Sequence, residues 1–191
     1  MGWLSASLDA LLGTGYVYIS MDHFALPADA FAVAKRQSLL HRNLQGYSTR
    51  PDCDLIALGV SAIGRIGATY SQNAKTLEDY CDALDQGRLP IVRGMVLTRD
   101  DILRRSVIMA IICQGNLQCE SIELGHLIDF RSYFAQELDS LHEFEQQGLV
   151  TLSDSGLKVT ATGWYLVRAI AMVFDKNLQV GQDRARFSKI I

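Results

Sequence analysis

Asp54-Leu55-Ile56-Ala57-Leu58-Gly59-Val60-Ser61-Ala62-Ile63 is almost continuously apolar after its first residue. Such a run suits a strand covered on both faces, as in a parallel sheet flanked by helices, because no solvent face needs polar side chains. Gly59, Gly64 and Gly67 allow close backbone approach at its end. Upstream, Tyr16-Val17-Tyr18-Ile19-Ser20-Met21 is rich in β-branched and aromatic residues and predicts a second strand, running directly into Asp22-His23. Between the two, Pro27 suits the first turn of a helix carrying Phe31, Ala34, Lys35, Ser38 and Leu39 and ending near His41. His41 to Thr49 is polar without helical periodicity and reads as extended or looping.

Helices flank this pair. Ser7 to Leu12 reads as the last turns of one, closed by Gly13 and Gly15. Thr76 with Asp79 resembles a capping box that opens another, running to Gln86 and closed by Gly87 and Pro90. Helix, strand, helix, strand, helix is the βαβ pattern of a doubly covered sheet. A layer with so few strands leaves faces and edges wanting neighbours, so residues 1–95 are expected to be the end of a larger α/β domain.

From residue 96 to 191 the pattern becomes mainly α. Thr98 can cap a helix carrying Ile102, Leu103, Val107 and Ile111, and helices continue through Ile122 to Ile128 and Tyr133 to Gln147. Leu149-Val150-Thr151-Leu152 and Leu157-Lys158-Val159-Thr160, joined by Asp154-Ser155-Gly156, read as a hairpin, and Ala161 to Phe174 as a final helix. This gives a winged-helix-like outline for the second half.

Composition excludes several classes. The longest apolar runs, such as Val107 to Cys113, fall short of the about 20 residues that span a bilayer, and the opening segment has no basic n-region, so a cytoplasmic protein is expected. The net charge is −3, with 8 basic against 9 acidic residues through position 95 and 10 against 12 beyond it, which is not the basic body of a general nucleic-acid binder. Cys53, Cys81, Cys113 and Cys119 stand 28, 32 and 6 residues apart, matching neither paired zinc ligands nor a redox Cys-x-x-Cys, and are read as structural thiols.

Gly15-Tyr16, Met21-Asp22-His23-Phe24-Ala25, Leu40-His41-Arg42-Asn43-Leu44-Gln45-Gly46-Tyr47, Asp54-Leu55 and Gly59-Val60-Ser61-Ala62-Ile63 together resemble the oxygen-independent coproporphyrinogen III oxidase family. So do Arg93-Gly94, Leu97-Thr98-Arg99-Asp100-Asp101 and the ending Arg186-Phe187-Ser188-Lys189-Ile190-Ile191. The resemblance runs in order along the chain and corresponds to the family's C-terminal portion. It implies the end of an incomplete (β/α) barrel followed by a helical C-terminal domain. The implied reaction turns two propionates of coproporphyrinogen III into vinyl groups, giving protoporphyrinogen IX without oxygen.

That chemistry breaks an unactivated C–H bond, which requires a cofactor-generated radical. In the family a [4Fe-4S] cluster cleaves S-adenosylmethionine to supply it, and the cluster thiolates come from a C-x3-C-x2-C-x-C motif that this sequence lacks. The chain alone is therefore expected to be inactive, and the longer enzyme to draw on a reductase or flavodoxin-type electron donor and to be a monomer. By resemblance, Ile63 and Gln45 match positions near S-adenosylmethionine. Asp22, His23, Arg42 and Tyr47 are candidates for touching the substrate or supporting groups that do; the Arg42 fork suits a tetracarboxylate. Two other functions remain open at this point: a haem- or porphyrin-binding relative without turnover, and a winged-helix nucleic-acid module, the latter disfavoured by the acidic second half.

Overall fold

The expected first helix is present as α1 (Gly2–Gly13), and Gly15 at φ 90° turns the chain into β1 (Val17–Ser20). The structure, a computed structural model, describes residues 2–44, 46–50 and 53–179. β1 does not cross to a distant parallel partner. It folds straight back into β2 (His23–Ala25) as an antiparallel hairpin whose turn holds Met21 at φ 54°.

The next helix, α2 (Ala30–Arg36), is capped by the Asp29 carboxylate accepting from the Phe31 amide. It is shorter than the sequence predicts, because Ser38 takes φ 57° and turns the chain out of the helix. His41 then begins β3 (His41–Asn43), which pairs antiparallel with β4 (Gly46–Ser48) and sets Arg42 opposite Tyr47.

The run from Asp54 to Ile63 departs most from expectation. It is not a strand buried on both faces: Leu55 makes an isolated bridge to Arg65, and Ile56 and Leu58 are 74% and 84% exposed. Two residues in the left-handed region, Gly59 at φ 103° and Ser61 at φ 59°, interrupt the extended backbone. The Asn73 amide then secures the loop by donating to the Ala57 and Gly59 carbonyls, 3.3 and 2.9 Å away. The sheet forms just beyond, from β5 (Ile63–Ile66), β6 (Thr69–Asn73) and β7 (Ile91–Val96) in the order β5-β6-β7, all antiparallel. The expected parallel βαβ layer is thus corrected to short antiparallel units, and no closed barrel is formed by the described residues. Between β6 and β7, α3 (Leu77–Asp85) starts at Thr76 as expected.

The second half follows its sequence more closely. α4 (Arg99–Met109) opens with a reciprocal capping box between Thr98 and Asp101. It runs into a π-helical turn, Ala110–Gln114, ended by Gly115 at φ 61°, after which come β8 (Asn116–Gln118), α5 (Cys119–His126), α6 (Phe130–Tyr133) and α7 (Ala135–Gln146). The predicted hairpin is β9 (Val150–Ser153) and β10 (Gly156–Val159), with β8 added on the far side in the order β8-β10-β9. A 3-10 turn, Gly163–Leu166, precedes α8 (Val167–Met172) and α9 (Lys176–Gln179), so the single final helix expected from Ala161 is broken.

One apolar core joins the halves. Phe130, Phe134, Phe174, Ile111 and Ile170 pack with Ile19, Ala25, Leu40 and Tyr47 from the two N-terminal hairpins. The β5-β6-β7 sheet contributes no residue to that cluster, and every residue of β7 is exposed. Among the described residues no helix is long and apolar enough to cross a membrane.

Candidate functional site

Tyr47 is the hub at which the N-terminal hairpins meet the π-helical turn. Its ring is buried, its hydroxyl donates to the Ile112 carbonyl at 3.4 Å, and burial raises its pKa above the usual phenol value. The His23 ring stands edge-on to it with centroids 5.0 Å apart, and the Arg42 guanidinium lies over its face at 5.2 Å. Asp22 brings a carboxylate oxygen to 2.8 Å from His23 Nδ1. The structure therefore gathers Asp22, His23, Arg42 and Tyr47 into one chain of contacts. β1–β2 delivers the first pair at its turn, and cross-strand pairing in β3–β4 delivers the second.

Four buried side-chain polar atoms in the described residues have no hydrogen-bond partner: Ser20 Oγ, His23 Nδ1, Arg42 Nη1 and Gln114 Oε1. All belong to this neighbourhood. The fully buried Ser20 lies against Tyr47, and Gln114 donates through Nε2 to the Leu40 carbonyl at 2.9 Å, just before β3. Ser20 has the Tyr47 hydroxyl and His23 the Asp22 carboxylate for a neighbour; Arg42 Nη1 and Gln114 Oε1 are left with polar valences to be met from the cavity. A cavity of about 470 Å³ opens between β3–β4, Cys53 to Leu55, α4 and the π-helical turn, with Arg42 and Gln114 in its wall. Sequence reasoning named neither Ser20 nor Gln114. Nothing in the sequence marks the π-helical turn that aims Gln114.

A second polar contact fixes the hairpin from the other side. Lys35 on α2 donates to the Tyr18 carbonyl at 2.9 Å and to that of Ile19, and its ammonium sits 4.2 Å from the Trp164 ring centroid. Burial pulls its pKa from 10.5 down to about 8. The unfolded chain then binds more protons between pH 8 and 10.5, so this residue's contribution to stability rises with pH across that window. Lys35→Met should remove this rise. Thermal midpoints of parent and variant measured from pH 7 to pH 11, with a pH slope unchanged by the substitution, would contradict the assignment.

A family model described as HemN C-terminal domain matches residues 97–166. The oxygen-independent coproporphyrinogen III oxidase of Pseudomonas aeruginosa is 47% identical over 188 residues, covering 98% of this chain and 41% of that protein. The Escherichia coli K12 protein of the same name is 43% identical over 188 residues, again covering 98% and 41%. The chain matches the C-terminal part of the oxygen-independent coproporphyrinogen III oxidase family. A solved structure of coproporphyrinogen III oxidase (HemN) from Escherichia coli, a Radical SAM enzyme, superposes with a TM-score of 0.87 at 44% identity. That match covers 91% of this chain and 40% of that one. The chain thus spans about two fifths of the length of these family members.

The family's iron–sulfur cluster does not fit this chain's own residues. Cys53 and Cys81 are exposed, Cys113 and Cys119 are buried, and no three potential metal-ligating side chains gather among the described residues. Burial pushes the Cys113 thiol up to about 12, the reverse of what a ligating thiolate needs. Ile63 begins β5 opposite Gln72, at the entry to the β5-β6-β7 sheet. Gln45 lies outside the described residues.

Proposed function

We propose that this chain is the C-terminal part of an enzyme that oxidatively decarboxylates two propionates of coproporphyrinogen III to vinyl groups, giving protoporphyrinogen IX without oxygen. The end-to-end match, 38–47% identity over 98% of the chain to proteins of that name, carries the reading. The cluster and S-adenosylmethionine that supply the radical in such an enzyme belong, on this reading, with the remainder of the longer protein, and the chain alone is inactive. An electron donor of reductase or flavodoxin type, a monomeric state and a cytoplasmic location complete the proposal.

What this chain's residues contribute is binding and orientation. Ile63 and Gln45 are assigned to the S-adenosylmethionine side of the site. Asp22, His23, Arg42 and Tyr47 form a rigid polar edge, since Tyr47 is held by its bond to Ile112 and in turn backs both His23 and Arg42. The helices, hairpin and helix after residue 96 are assigned the winged-helix-like domain that supports this edge from behind.

A chimera tests the reaction. This chain should replace the matching C-terminal segment of the Pseudomonas aeruginosa enzyme, with which it shares 47% of residues, and retain turnover. Anaerobic assay with coproporphyrinogen III, S-adenosylmethionine and dithionite should give vinyl product within about tenfold of the parent rate, a barrier difference of about 1.4 kcal/mol. A folded chimera with its cluster in place and no vinyl product would count against the reaction.

A further inference from the structure

We infer that the cavity between β3–β4 and the π-helical turn is a carboxylate-binding site that takes a propionate side chain of the tetrapyrrole, with Arg42 as its main ligand and Arg105 as its second. The inference rests on the reaction proposed above for the ligand's identity, while the anion-binding character rests on geometry alone.

Arg42 presents a buried Nη1 with no hydrogen-bond acceptor among the described residues. A guanidinium cannot shed its charge by losing a proton, so an unmet buried donor there calls for an anionic acceptor. The Tyr47 ring beneath it fixes the plane of the fork. Arg105 reaches the same wall from α4, with Nε donating to the Tyr70 hydroxyl at 3.2 Å. Arg42, Arg105 and Cys113 all line this one cavity. Arg50 adds a third cation on the lining. The opposing acid is Asp54, and its Oδ1 already accepts from the Gly67 amide at 2.7 Å. Gln114 Oε1 is the remaining orphan in the wall and accepts from a donor other than the carboxylate. A carboxylate held by charge-assisted, forked hydrogen bonds meets the unmet valence that a neutral ligand leaves open.

The probe is coproporphyrin III, the stable oxidised macrocycle with the same four propionates, titrated into this chain by Soret absorbance. Arg42→Gln and Arg105→Gln should each weaken binding about tenfold or more, the size of one lost charge-assisted bond. Arg42→Lys should fall between parent and Arg42→Gln, because it keeps the charge and loses the fork. The tetramethyl ester should bind no better to the parent than coproporphyrin III binds to Arg42→Gln. Arg36→Gln, on the exposed side of α2, is the control, and circular dichroism confirms that each variant folds.

Equal affinities across the arginine variants, equal binding of the ester, or no binding of the porphyrin by the parent chain would overturn the inference. So would a chimera in which Arg42→Gln lowers thermal stability and leaves KM unchanged, since the cavity then holds an acidic side chain of the longer protein. These results are separable from failure of the reaction. A chimera without turnover whose chain still binds coproporphyrin III through Arg42 removes the reaction and leaves the site.

Discussion

Gly163→Ala should lower stability by about 3 kcal/mol or more, at or beyond the upper end of ordinary overpacking. Gly163 opens the 3-10 turn that follows the β9–β10 hairpin, and a Cβ placed there would sit 1.8 Å from the Leu149 carbonyl oxygen and 2.8 Å from its carbon. The obstacle is main chain, so no side-chain rotation relieves it. Nor can Leu149 withdraw cheaply. Its carbonyl accepts from the Thr160 amide at 3.0 Å and the Thr160 hydroxyl at 3.1 Å, and that hydroxyl accepts from the Gly163 amide at 3.0 Å. For a chain of this length the loss corresponds to a fall in Tm of about 6–12 °C. Gly125→Ala provides the contrast, because a Cβ there meets nothing within 4 Å and the residue lies inside α5. It should raise stability by about 0.5–1 kcal/mol. Parallel thermal melts decide the matter, and a Gly163→Ala variant that melts with the parent would disprove the close approach.

These two glycines show where the sequence is readable and where it is not. Thr76 and Thr98 announce their helices because an N-cap is a bond between residues three apart, satisfied by local chain alone. The β9–β10 hairpin is equally local, and its turn residues mark it. Asp54 to Ile63 misled because apolar content alone does not say whether covering layers exist; exposed Ile56 and Leu58 have none among the described residues. The sheet that does form joins Ile63–Ile66 and Thr69–Asn73 to Ile91–Val96 across an intervening helix, with polar residues and glycines in place of a clear alternation. Ser38 at φ 57° cuts α2 short without a glycine to signal it. Residue type and resemblance single out Asp22, His23, Arg42 and Tyr47 as candidates, and the structure brings them into contact. Their meeting at one tyrosine joins two separate hairpins, and the part played by Gln114 depends on its bond to Leu40, 74 residues away, neither of which a local pattern encodes.

Arg104→Ala should cost about 3–5 kcal/mol, the loss expected when one partner of a buried ion pair is removed and the other stays behind. Arg104 on α4 donates from Nη1 to Glu137 at 2.7 Å on α7 and to the Phe174 carbonyl at 3.0 Å, and from Nε to Asp100 at 2.9 Å. Glu137 is only 6% exposed, so its carboxylate would be left buried without its cation. Arg104→Met with Glu137→Leu should recover most of the loss, because replacing both partners by apolar groups removes the stranded charge. The network also sets the acid limit of stability. At Asp100 burial works upward, but hydrogen bonds from Lys176 and Tyr133 and the charge of Arg104 outweigh it and hold the carboxyl below 3.8. Asp101 is lowered chiefly by its bonds with Thr98. With folded values depressed, the stability these groups lend is complete above 3.8 and is lost as the pH falls through their folded values. Removing Arg104 takes one lowering charge from Asp100, so the acid loss should begin at a higher pH in Arg104→Ala than in the parent. Urea midpoints measured from pH 2 to pH 7 test both statements. Superimposable acid limbs, or a double substitution no more stable than Arg104→Ala, would show that the Arg104–Glu137 pair does not join α4 to α7 as a buried ion pair.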